Sequence, residues 1–87
     1  MATSKISKET DSFPRFKGTT TYNNAPEGVS YLKSNDDTTN RPSAHAYFLI
    51  TMRQDANSAA QLAVRRDDGT AYVRGQASGT WTSWKAL

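Results

Sequence analysis

Apolar and polar positions along this 87-residue chain change pattern several times, and each change marks an element. The densest apolar stretch is AHAYFLITMR at 44–53, with no Asp, Glu, Lys or Arg before Arg53. Its Tyr, Phe, Ile and Thr content predicts a strand buried on both faces. SNDDTTNRPS at 34–43 reads as a loop, because Asn and Asp make local turns and Pro42 cannot donate a ladder bond. Upstream, the turn-rich GTTTYNNAPEG at 18–28 leads into a first strand over Val29–Ser34. Residues 55–66, DANSAAQLAVRR, read in two ways. Their alanines and a Ser58 cap permit a single helical turn near 56–60. QLAVRR and TAYVRG around Asp68-Gly69 read as a hairpin, which is the stronger signal. The end, GTWTSWKAL, alternates bulky and small residues and predicts a closing strand. About five short strands without regular helices predict a small all-β, mainly antiparallel domain.

The first residues follow another pattern. Met1–Lys17 is polar and charged, with Phe13 and Phe16 flanking Pro14 and Arg15. Pro14 interrupts a weak helical phasing, so an extended arm is expected. It acts either as a frayed terminus or as a tether whose Phe13 and Phe16 anchor to a neighbouring subunit or larger assembly. The organisation expected is an arm or linker over 1–24 and a β domain over 25–87.

Composition changes this picture in one respect. Leu, Ile, Val and Phe supply 12 residues, whereas Ser, Thr, Asn and Gln supply 28. So low an aliphatic content borders on disorder, yet the low net charge and the aromatic residues argue for a folded chain. A small domain with a thin core and no cysteine needs another staple, and oligomerisation is the one expected. The net charge of +3 is too mild to imply nucleic acid. No segment approaches the roughly 20 apolar residues of a membrane-spanning helix, and MATSKISKETDSF lacks the apolar region of a secretory signal.

Catalytic signatures are missing as well. Asp36-Asp37 and Asp67-Asp68 are adjacent pairs, whose side chains diverge on extended chain. Glycosidases instead aim two carboxyls at one bond from about 5–10 Å apart. Without cysteine, a GxSxG elbow or a phosphate-binding loop, nucleophilic and nucleotide chemistry lack their parts. His45 is the only histidine. It reads as a hydrogen-bonded strand-end residue rather than a metal ligand, and no cofactor is expected. Tyr72, Arg74, Trp81 and Trp84 cluster near the end, and such residues stack on sugars or anchor interfaces. Three-residue spacing puts Trp81 and Trp84 on opposite faces of a regular strand.

In order, the chain carries Gly28-x-x-Tyr31, Thr39-Asn40-Arg41-Pro42-Ser43, AYFLITM, Gln61-Leu62-Ala63, Ala71-Tyr72-Val73-Arg74 and a terminal GTWTSWKAL. This set, over about residues 25–87, resembles the pyocin-knob-type C-terminal domain of bacteriophage tail fibres and contractile bacteriocin fibres. The resemblance implies a homotrimeric β knob displayed on a virion and touching the host surface. This sequence shows no fibre shaft, so the expectation is either a fragment of a longer fibre or a compact virion protein whose arm takes the shaft's place as anchor. The expected function is host attachment through a polysaccharide or protein receptor, without catalysis and without nucleic-acid or membrane partners. The alternative is a decoration or adaptor protein held on capsid or tail by its arm. The receptor site is expected on a distal surface formed by loop 35–42 and the hairpin region bearing Tyr72 and Arg74, with Asn40, Arg41, Tyr72 and Arg74 binding ligand. Trp84 is expected to serve the core, and an ion pair between Arg74 and Asp37 is the structural alternative for that arginine.

Overall fold

The computed structural model describes residues 17–87. The expected anchors Phe13 and Phe16 lie outside these described residues. Among those described, the elements are β1 (Lys17–Gly18), β2 (Gly28–Leu32), β3 (Tyr47–Asp55), β4 (Ser58–Arg65), β5 (Ala71–Ala77), β6 (Thr80–Trp81) and β7 (Lys85–Ala86). No helix is present among the described residues, and the fold is all-β as expected. The strands form one sheet ordered β1-β2-β3-β4-β5-β6, with β7 also pairing β5. Only β1 runs parallel to its neighbour; the other pairs are antiparallel.

The long hairpin strands β3, β4 and β5 carry the architecture. β3 and β4 join through a tight turn at Asp55–Ser58, where the Asp55 carboxylate accepts the Asn57 N–H at 2.8 Å. The helical turn permitted near 56–60 does not form, because Ser58, Ala59 and Ala60 pair along β3 instead. The β4–β5 connection uses Asp68-Gly69 as the turn signal required. Gly69 takes φ +77, and Asp68 accepts the Thr70 N–H at 3.0 Å.

The β3 expectation needs correction. Its pattern is not burial on both faces: Tyr47, Leu49 and Thr51 are buried, whereas Phe48, Ile50 and Met52 alternate with them as exposed residues. A single sheet has two faces, and the described residues cover only one. That covered face packs Leu32, Tyr47, Leu49 and Ala63 against Tyr22 and Ala25 of the 19–27 segment. Register carries the other face across the sheet as Val29, Ile50, Leu62 and Val73, flanked by Tyr31, Phe48, Val64 and Ala71. Val29, Tyr31, Ile50 and Met52 remain 38%, 39%, 37% and 53% exposed.

The single closing strand also differs from expectation. β5 turns into β6 through Ser78 (φ 51) and Gly79 (φ 82), the positive pair that two-residue hairpin turns require. The chain then leaves the ladder over 82–84 and returns as β7 against Tyr72 and Val73. That break decides where the two tryptophans point.

Candidate functional site

The site grows from β5 and the break after it. Gln76 pairs with Trp81, so Trp81 shares the covered face with Arg74, two residues back along β5. Thr82 stays pinned beside Gly75, donating its N–H to the Gly75 carbonyl at 2.8 Å and accepting the Gly75 N–H on Oγ1 at 3.0 Å. Because residues 82–84 are not strand, alternation fails, and Trp84 returns to the same side. Both indoles then stack on Arg74, whose Cζ lies 4.0 Å from the Trp81 ring centre and 4.6 Å from that of Trp84. Opposite-face placement of Trp81 and Trp84 is therefore corrected.

Arg74 is the fixed point of the site, 7% exposed. Its Nε donates to Gln61 Oε1 at 2.8 Å and its Nη2 to Asn23 Oδ1 at 2.9 Å. Gln61 in turn donates from Nε2 to the Tyr22 carbonyl at 2.6 Å and to Thr51 Oγ1 at 3.1 Å. A buried guanidinium is tolerable only when its donors are met and its faces are covered. Burial lowers its pKa to about 10, with Asp37 and Tyr22 acting in the opposite direction. No carboxylate lies within 4.0 Å of it among the described residues, whose ion pairs all involve Arg65 or Arg66. The Arg74–Asp37 ion pair considered from sequence therefore does not form.

Asp37 organises the loop instead. It adopts φ 46, a conformation Asp tolerates better than most residues. Its carboxylate accepts the Tyr22 N–H at 2.6 Å and the Asn40 side-chain amide at 2.9 Å. Asn40, so placed, accepts the Trp84 indole N–H on its carbonyl at 2.7 Å. Trp84 also meets Tyr22 edge-on, with ring centres 5.8 Å apart, and so joins the core as expected. Arg41 is held by its Nη1 donating to the Ser34 carbonyl at 2.6 Å.

The result is a groove of about 230 Å³ between the loop and the C-terminal segment. Thr39, Asn40 and Arg41 form one wall; Arg74, Trp81, Thr82, Ser83 and Trp84 form the other. Of the four residues expected to bind ligand, the structure brings Asn40, Arg41 and Arg74 together. Tyr72 lies elsewhere on the covered face, edge-on to Tyr47 at 6.0 Å and half-buried. Sequence reasoning missed Thr82 and Ser83 as groove residues, and it missed Trp81 and Trp84 as a joint clamp. The signal was the polar Thr-Ser step between the indoles. A larger hollow of about 470 Å³, lined by Glu27, Met52, Arg53 and neighbours, contains no aromatic ring.

Among the described residues no group of three metal-ligating side chains forms. His45 lies two residues before β3, its Nδ1 3.0 Å from Ser43 Oγ. The chain matches no family model, no curated protein and no solved structure.

Proposed function

We propose that this chain is a non-catalytic receptor-binding knob, displayed as a homotrimer on a phage virion, that attaches to a host-surface saccharide through the Arg41–Trp81 groove. The observation that carries the reading is the groove itself. Apolar indole rings, rigidly held guanidinium donors and small hydroxyls converge there, the combination that suits ring C–H faces and sugar hydroxyls. The virion setting rests on the order of motifs in the sequence. The homotrimer rests on the centre of the outer face, where Val29, Tyr31, Ile50, Leu62 and Val73 offer matching apolar surface to further copies of the same chain.

The test uses labelled full-length chain and host bacteria, before and after enzymatic stripping of their surface polysaccharide. Intact cells should retain the chain, stripped cells should not, and Arg41→Ala should weaken retention by about tenfold or more, as for an interface hot spot. Retention by stripped cells at the same level overturns the saccharide. Retention only by virions lacking the protein overturns attachment in favour of the decoration role.

A further inference from the structure

The charge of the groove says more than its shape. Its lining carries two guanidinium groups, Arg41 and Arg74, and no carboxylate. With Nε and Nη2 of Arg74 engaged, its Nη1 makes no hydrogen bond to any described residue, yet it is not sealed from solvent. Asp37, the acid that acts on Arg74 from a distance, already spends both carboxylate oxygens on Tyr22 and Asn40. Arg41 uses only Nη1 on the protein, which leaves the rest of its fork available. A buried cation without a matching anion, beside a second cation, favours an anionic ligand. The hydroxyls of Thr39, Thr82 and Ser83 and the indole of Trp81 favour a polyhydroxylated one.

We infer that the groove takes an acidic saccharide, its carboxylate directed at Arg74 Nη1 and the Arg41 fork. This narrows the saccharide reading above and rests on it. The Arg74 guanidinium is already held by Gln61, Asn23 and two indoles, so little ordering cost remains for it when ligand arrives. At neutral pH the Arg74 guanidinium is charged, since its lowered pKa of about 10 still lies well above neutrality.

Calorimetry on the full chain would use a panel of hexuronate oligosaccharides of varied linkage, their carboxyl-reduced counterparts, and hexaglutamate. At low salt at least one hexuronate should bind about tenfold more tightly than its reduced form, as hydrogen bonds to a charged group imply. That gap should narrow at high salt through screening, and Trp81 and Trp84 indole resonances should shift on binding. Arg74 variants risk unfolding, so Arg41→Gln supplies the second arm and should reduce the gap to about threefold. Equal affinity for acidic and reduced forms overturns the carboxylate and leaves the saccharide reading intact. Hexaglutamate matching the best hexuronate overturns the sugar as the source of the carboxylate. Failure of every oligosaccharide to bind overturns both readings.

Discussion

The two faces of this sheet hold opposite chemistry. The covered face carries Ser30, Thr51, Gln61 and Arg74 as buried polar residues among Tyr22, Tyr47 and Leu49. The open face carries Val29, Tyr31, Ile50, Met52, Leu62 and Val73, with Asp55 at its hairpin end opposite Ser58. A sheet with one solvated face ordinarily reads apolar inside and polar outside. Here the covered face is held by a network in which Asn23, Gln61 and Arg74 fix one another. The apolar area that a thin core lacks sits on the other side. The difference teaches that one face specifies the chain's own arrangement, while the other suits assembly.

The harshest way to break the covered face is Gln61→Leu. It leaves Arg74 Nε, the Tyr22 carbonyl and Thr51 Oγ1 without their partner. We expect a loss of about 3 kcal/mol or more, since a buried charge loses a donor's acceptor. Thermal unfolding followed by circular dichroism should show a melting point lower by roughly 10 °C or more. A loss below about 1 kcal/mol would deny the network its structural role.

The open face is broken by Ile50→Asp. Light scattering should give three chains for the parent and one for the variant, with the β signal retained. A parent that is already monomeric at micromolar concentration removes assembly from the comparison.

A gentler change sharpens the contrast. The buried Tyr22 hydroxyl has no hydrogen-bond partner among the described residues, so Tyr22→Phe should raise stability by about 1 kcal/mol in chemical denaturation. It should also alter the alkaline limb. Burial raises the pKa of Tyr22 and of Tyr47, so the folded chain keeps these protons while the unfolded chain loses them above about pH 10. Their contribution is complete below that pH and is lost as pH climbs through the raised values. Arg74, lowered to about 10, acts with the opposite sign, because the folded chain sheds its proton first. The tyrosines and the arginine therefore oppose one another, and above pH 10 stability should fall less steeply, or rise more steeply, in Tyr22→Phe than in the parent. Identical alkaline slopes in the two chains would refute this assignment.

Much of the fold was legible because the pattern of β3, β4 and β5 is local: side-chain alternation, Asp68-Gly69 and the Asn and Asp loop all act within a few residues. The burial of β3 was not, because an apolar run reads alike whether its second face meets the same chain or another. β1 and β7, two residues each, owe their pairing to the neighbours that β2 and β5 present, which no local propensity records. At the site, Asn40, Arg41 and Arg74 were readable as residue types suited to a ligand. The convergence of Trp81 and Trp84 was not, because it depends on a three-residue departure from the ladder. Tyr72 shares a strand face with Arg74, yet it packs edge-on against Tyr47 and stays out of the groove.

The position of β1 has a mechanical consequence. Lys17 and Gly18 pair at one edge of the sheet, and Trp81 lines the groove at the other. Five inter-strand steps of about 4.8 Å separate those edges, roughly 24 Å of sheet. A pull between an attachment upstream of Lys17 and a ligand held in the groove therefore runs across the strands rather than along them. The ladders are loaded one after another, like the teeth of a zip, and the weakest link in that series is the two-residue β1–β2 pairing. Tension would peel β1 from Ser30 and Tyr31 first and would then load the 19–27 segment, whose Tyr22 and Asn23 hold Gln61 and Arg74.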